Sequence, residues 1–211
     1  MQDPLEALEK IGVLHKGHFV FTSQLHSAWY VRIDKGSYKT TQELSGLCRQ
    51  LALLSDDSIQ VVVGPATGGS TIANLVAGHL SALLNRKIPF ISLEKSEEAA
   101  TFAVPSTQIH LLREKSILLV DDVLTTGMTL RRAIAVLRSI QGKIIGVSVI
   151  WNRGPLYAQD LNIPWLYALV AKELPSYPED ECPLCAQGIP VNTEMGHGSE
   201  FMSRKAPRQP Y

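Results

Sequence analysis

The sequence predicts an α/β protein built on a mainly parallel sheet flanked by helices. Three observations carry that expectation. Apolar, largely β-branched runs recur along the chain, among them Val61–Val63, "IPFISLEK" (88–95), "SILLVDDV" (116–123) and "IIGVSVIWN" (144–152). Segments with apolar residues at helical spacing lie between them, over Ile72–Leu84 and Thr129–Ile140. Two of the strand-to-helix passages run through Gly-rich or Thr-Thr-Gly turns, "GPATGG" and "LTTG". Near-continuous apolar strands alternating with helices need cover on both faces, which parallel sheets have.

The elements follow in order. Leu5, Leu8 and Ile11 have helical spacing, so a short helix is expected over Pro4–Ile11. Phe19 and Phe21, then Trp29, Val31 and Ile33, alternate with polar residues as in a pair of strands or a hairpin. Leu44, Leu47, Leu51 and Leu54 return to helical spacing over Thr41–Leu54, with Thr40 or Thr41 as candidate N-cap. The four core strands and two helices named above come next, and "WLYALVAK" (165–172) is a candidate fifth strand. Beyond Pro175 the chain is rich in Pro, Gly and polar residues, and from about Ser199 it is expected to be loosely ordered.

The 211 residues suffice for one substantial domain with a full core. The 20 basic and 20 acidic residues cancel, which removes any whole-protein electrostatic argument for nucleic acid or an anionic membrane. No apolar run reaches the roughly 18 residues of a membrane span. The start "MQDPLEALEKIG" is acidic and amphipathic, unlike a signal peptide, so a cytoplasmic protein is expected. Cys48, Cys182 and Cys185 make no disulfide framework, being odd in number with two of them in a CxxC.

In sheets of this kind, ligands bind in the crevice beyond the carboxyl ends of the strands. That rule gathers Gly64–Gly69, Glu94 and Lys95, Asp121–Thr129, and Asn152 and Arg153. In "DDVLTTGMT" the chain leaves a buried strand, turns through Thr125, Thr126 and Gly127, and enters a helix. Unpaired backbone N–H groups and the positive end of the helix dipole make such a turn a phosphate site. Adjacent carboxylates at Asp121 and Asp122 suit the vicinal hydroxyls of a sugar. Any one of these residues alone would be an ordinary helix cap. Together they form a template for a 5-phosphorylated ribose.

"ILLVDDVLTTGMTL" (117–130) resembles the phosphoribosyl pyrophosphate (PRPP) signature of the type I phosphoribosyltransferases. The resemblance implies that Asp121 and Asp122 hold the ribose hydroxyls, while Thr125, Thr126, Gly127, Met128 and Thr129 cradle the 5-phosphate. It also places Gly64, Ala66, Thr67, Gly68 and Gly69 against the pyrophosphate, where side chains would block backbone approach. Lys95 fits a basic, catalytic position at a strand end. "GHFVFTSQLHSAWYV", "GPATGG" and "CPLCAQGIPVNTEMGHG" narrow the resemblance to the orotate phosphoribosyltransferases, over about Gly12–Gly198. An Arg after a sheet strand can hold the orotate carboxylate bidentately, and Arg153 occupies that place. Thr125, Thr22 and Ser23 are the further orotate candidates, with His26 beside them.

The resemblance implies a type I phosphoribosyltransferase-like fold with a small N-terminal hood and a flexible loop. Residues 1–198 would form a single domain, with helix and hood strands over 1–40, the core over 41–175 and a CxxC-containing segment over 176–198; 199–211 would be a flexible tail. It further implies a homodimer, Mg²⁺ held mainly through PRPP, and orotidine 5'-monophosphate and pyrophosphate as products of de novo pyrimidine synthesis. Two departures stand out. The stretch before Ile117 carries Glu97 and Glu98 where many members have basic residues, although His110, Arg113 and Lys115 follow; and Gln24 replaces a usual Gly. A type I phosphoribosyltransferase for a purine or another base and a PRPP-binding regulator without transfer activity are the competing readings. Cys182 and Cys185 make half a zinc site with His197 as candidate third ligand, but structural zinc takes four ligands, so a packed or idle thiol pair is the expected reading and a metal site shared between subunits the alternative.

Overall fold

The computed structural model describes residues 8–9, 12, 14–21, 23–31, 38–66, 68–96, 101–154 and 156–205. The chain divides into two compact units, Met1–Asp34 with Leu174–Tyr211, and Lys35–Glu173. Of the expected opening helix, only Leu8 and Glu9 are described, and both are helical.

In the smaller unit, β1 (Leu14–Val20) pairs antiparallel with β2 (His26–Val31), with a bulge between Lys16 and Phe19. The hairpin is the one expected from the alternation. The bulge breaks the period of two, however, so His18, Phe19 and Val20 are buried in succession. Gln24, in the turn, has φ 65°. That left-handed conformation favours glycine, which accounts for the Gly expected there from the resemblance. Gln24 Oε1 accepts a hydrogen bond from Arg204 Nη2. The unit is completed by a bridge between His26 and Tyr177, a short helix α4 (Pro183–Ala186) and a helix α5 (Gly198–Lys205). Thus the segment expected to be loosely ordered from Ser199 is helical as far as Lys205. Phe201 is buried edge-on to the His26 ring, and Lys205 in the last turn pairs with Glu179.

The larger unit holds a six-stranded sheet in the order β5-β4-β3-β6-β7-β8. Its strands are β3 (Val61–Pro65), β4 (Phe90–Lys95), β5 (Phe102–Ala103), β6 (Ser116–Leu124), β7 (Lys143–Asn152) and β8 (Leu166–Ala171). All neighbours run parallel except the edge strand β5, which pairs antiparallel with β4. All five expected core strands are present. Side chains alternate across a sheet, so Val61, Val63, Ile117, Leu119, Val147 and Val149 share one buried face. Against it lie Leu130, Ile134 and Leu137 of α3 (Met128–Ser139). The opposite face is covered by α2 (Gly68–Leu83), which packs on β3, β4 and β6 through Ile72, Ala73, Val76 and Leu80. In turn α1 (Tyr38–Leu53) packs on α2.

Boundaries differ at two helices. Since α1 begins at Tyr38, Thr40 and Thr41 lie inside its first turn and are not its cap. Thr40 and Thr41 mimic a cap in sequence because they lie shortly before the first apolar position of the helical period, Leu44. The Gly-rich turn hands over to α2 at Gly68, four residues before the first apolar position Ile72.

Candidate active site

Strand order fixes where a crevice opens. From β3 the chain passes through α2 to β4 on one side, whereas from β6 it passes through α3 to β7 on the other. Adjacent strands whose connections diverge leave a gap at their carboxyl ends. There β6 presents Asp121 and Asp122, and β3 ends at Gly64 and Pro65.

The glycines that follow set how closely the two strand ends approach. A Cβ on Gly64 would lie 2.0 Å from the Gly69 carbonyl oxygen, one on Gly69 would lie 2.9 Å from the Val120 carbonyl oxygen, and one on Gly68 would lie 2.3 Å from Asp122 Oδ2. Gly68 and Gly69 therefore let the start of α2 lie directly against the end of β6.

Asp121 is 6% exposed and Asp122 half-buried. The Asp122 N–H donates to Asp121 Oδ1 at 3.0 Å, and the Val123 N–H to Asp122 Oδ1 at 2.8 Å. Among the described residues neither carboxylate has an ion-pair partner. Burial first, and then the charge of Asp122, push the Asp121 carboxyl well above its ordinary range. An acidic pair held this way costs free energy until donors arrive.

Beyond Leu124 the chain turns through exposed Thr125 and Thr126 to Gly127, whose φ of 74° makes it a left-handed N-cap to α3. The first hydrogen bond of α3 runs from the Arg131 N–H to the Gly127 carbonyl at 2.8 Å. The N–H groups of Met128, Thr129 and Leu130 precede it and have no intrahelical acceptor. These donors, the helix dipole and the exposed hydroxyls of Thr125, Thr126 and Thr129 suit an anion.

A cavity of about 470 Å³ has Gly68, Lys95, Asp121, Asp122, Thr129 and Arg132 in its wall, whereas Thr125, Thr126, Gly127 and Met128 are not part of its lining. Lys95 closes β4 and is paired in register with Phe102 of β5. Arg132 is absent from the sequence candidates. It lies three residues after Thr129 on α3, so the same helix face carries both, a spacing that could have revealed it. Carboxylates for hydroxyls, an anion-binding turn and two cations fit a sugar bearing phosphate groups at both ends.

The remaining candidates are distributed as follows. Ala66 also lines the cavity. Thr22 and Thr67 lie outside the described residues, as do Glu97 and Glu98. Ser23 is in the hairpin turn of the smaller unit. Arg153 follows β7, outside the lining of that cavity. Its N–H donates to the Leu124 carbonyl at 2.7 Å, its guanidinium lies 5.8 Å from the centre of the Trp151 ring, and burial pushes its pKa down. A Cβ on Gly154 would lie 2.4 Å from the Thr125 carbonyl oxygen, so the Arg153–Gly154 corner packs against the start of the phosphate turn. His110, Arg113 and Lys115 border a different cavity, together with Glu114. Cys48 is a buried core residue of α1 whose thiol is pushed up to about 12 by burial. His197 faces Glu200, with Nδ1 3.0 Å from Oε2, and is not among the side chains whose ligand atoms gather with those of Cys182 and Cys185. Spacing alone favoured His197 over the histidines of the hairpin.

Comparison with known proteins gives a consistent result. The phosphoribosyl transferase domain family matches residues 36–172. Orotate phosphoribosyltransferase of Thermoanaerobacter sp. (strain X514) is 32% identical over 199 residues, covering 90% of this chain and 94% of that protein. Orotate phosphoribosyltransferase of Thermus thermophilus is 30% identical over 202 residues, covering 90% of this chain and 98% of that protein. Among solved structures, the orotate phosphoribosyltransferase of Francisella tularensis superposes with a TM-score of 0.59 at 21% identity, covering 95% of this chain and 96% of that one. The Aeropyrum pernix enzyme gives 0.60 at 22%, covering 80% and 93%. This chain belongs to the phosphoribosyltransferase family and has its type I fold.

Proposed function

We propose that this chain transfers the 5-phosphoribosyl group of PRPP to orotate, giving orotidine 5'-monophosphate and pyrophosphate in de novo pyrimidine synthesis. The observation that carries the reading is the cavity in which the Asp121–Asp122 pair stands beside the start of α3, with Lys95 and Arg132 in the same wall. The base is supported by the relatives' activity and by Arg153, which a neutral purine would not need.

In the mechanism, the phosphate turn from Thr125 to Thr129 holds the 5-phosphate through backbone N–H groups and hydroxyls. The ribose hydroxyls donate to Asp121 and Asp122, and that hydrogen bonding favours the charged form that burial disfavours. Negative charge beside the sugar also stabilises the positive character that builds at its anomeric carbon as the bond to pyrophosphate breaks and the orotate nitrogen attacks. Lys95 and Arg132 neutralise the leaving pyrophosphate, and the backbone at Gly68 and Gly69 approaches it without steric hindrance.

The residues present fit Mg²⁺ as cofactor. They offer acceptor-only carboxylates on an open wall and no closed protein cage, so the ion would be held mainly by substrate oxygens. When bound it offsets charge on the departing pyrophosphate. The chain acts as one phosphoribosyltransferase domain in this reading, as a homodimer in the cytoplasm; among the described residues no helix is long and apolar enough to cross a membrane.

Purified protein incubated with PRPP, Mg²⁺ and each base in turn provides the test. Orotate is expected to be consumed and adenine, guanine and hypoxanthine left intact. Consumption of a purine with orotate untouched would point to the purine reading, and PRPP binding without turnover on any base to a regulator.

A further inference from the structure

The four side chains His18, His26, Cys182 and Cys185 converge inside the smaller unit, far apart in sequence. Their ligand atoms all lie within 4.8 Å of one another. His18 Nε2 is 2.8 Å from His26 Nδ1 and 3.7 Å from each of the Cys182 and Cys185 sulfurs, while the Cys185 sulfur is 3.4 Å from His26 Nδ1. With Zn–N near 2.05 Å and Zn–S near 2.3 Å, tetrahedral zinc sets its ligand atoms about 3.3 Å apart for two nitrogens and about 3.6 Å apart for nitrogen and sulfur. These four distances match those edges to within about half an ångström, and no pair of ligand atoms in the cluster is more than 4.8 Å apart. We propose that His18, His26, Cys182 and Cys185 bind one structural zinc ion.

Three further observations support the assignment. First, His18 Nδ1 is 2.7 Å from the Ile189 carbonyl, so its N–H donates there and the lone pair of Nε2 points into the cluster. Metal-bound histidines are held in this way. Second, His26 Nε2 is buried without a hydrogen-bond partner. If that nitrogen carries the proton, Nδ1 and His18 Nε2 turn two lone pairs toward each other, which a cation resolves. Third, His18, His26 and Cys182 are at most 2% exposed, and Cys185 is half-buried. The pocket is thus closed, as a structural site is, without the open position that a catalytic zinc keeps. Two thiolates and two neutral imidazoles select zinc over the oxygen-preferring Mg²⁺.

The ion would join three elements. His18 comes from β1, His26 from the start of β2, and the cysteines from the entry to α4, 164 positions beyond His18 in the case of Cys182. A small body assembled from the two ends of the chain has little core of its own, and a ligand that binds only the folded form stabilises it by mass action.

Elemental analysis of the freshly purified full-length protein is expected to find about one zinc per chain. After chelation under reducing conditions, Co²⁺ alone should restore a thiolate-to-metal charge-transfer band and the intense visible absorption of tetrahedral cobalt. Chelation should also lower the urea midpoint, and added zinc should restore it. H26A and C185S should retain less than a tenth of the zinc, whereas H197A, outside the cluster, should keep it all. Metal-free wild-type protein whose reduced thiols take up no cobalt would overturn the proposal, as would full zinc content in a C182S/C185S double variant. Should H26A or C185S fail to fold, wild-type stoichiometry and the cobalt spectrum still decide.

Discussion

Replacing Gly68 by Ala is expected to cripple transfer while leaving the fold nearly as stable as before. The new Cβ would lie 2.3 Å from Asp122 Oδ2 and 2.8 Å from its Cγ. Ordinary contact distances are about 3.4 Å, so the carboxylate must give way by roughly 1 Å. Only a side chain has to move, at a cost of about 0.5–1.5 kcal/mol for leaving its rotamer. Against this, replacing a glycine restricts the unfolded chain, which contributes about 0.4–1 kcal/mol. The net is within about 1 kcal/mol, or about 2–4 °C in a chain of this size. A displacement of about 1 Å at a positioning group can cost about 10²-fold in rate, equivalent to about 2.7 kcal/mol of transition-state stabilisation.

Orotate absorbance loss with saturating PRPP gives kcat/KM, and a thermal melt gives stability. Gly64→Ala is the contrasting variant. Its Cβ would meet the backbone of Gly69 at 2.0 Å, where no side chain can yield, so it should destabilise by about 3 kcal/mol or more. Wild-type kcat/KM in a folded Gly68→Ala protein would refute the role given to Asp122. An activity loss matched by an equal loss of stability would refute the argument from side-chain displacement.

Two other outcomes are expected. Asp121 has its pKa raised by burial and then by Asp122, so at this one group the folded ligand-free protein holds a proton that the unfolded chain loses above roughly pH 4. The contribution of Asp121 to stability should therefore fall as pH rises from there to the raised folded value, and the difference between wild type and Asp121→Asn in pH-dependent urea unfolding should show that slope. Arg153→Lys should lower kcat/KM for orotate about 10- to 100-fold, since a bidentate charged contact is worth about 1.5–3 kcal/mol. PRPP affinity by calorimetry should stay unchanged.

How much of this was legible in the sequence depends on the range of the interactions involved. The central strands β3, β6 and β7 could be read because a strand buried on both faces is nearly apolar throughout, β4 and β8 because their apolar runs are β-branched or aromatic, and the Asp-Asp and Thr-Thr-Gly pair because it is nearly contiguous. The edge strand Phe102–Ala103 is too short to show a period, and α5 rests on the single buried aromatic Phe201 amid polar neighbours. Arg132 was hidden because a cation on an amphipathic helix usually just faces solvent. The four-residue cluster of the smaller unit was out of reach for a different reason. A CxxC announces two ligands, but the hairpin histidines that join it are brought there by tertiary folding, and the neighbouring His197 was the natural misreading.

The most direct test of the central claim follows orotate absorbance and pyrophosphate release together, with PRPP and Mg²⁺, for wild-type protein and Asp122→Asn. The account requires one pyrophosphate released per orotate consumed by the wild type. It also requires at least a roughly hundredfold slower turnover in a variant that melts no lower, because one charge of a repelling pair is gone. Equal turnover in the two proteins, or no loss of orotate in either, would contradict it.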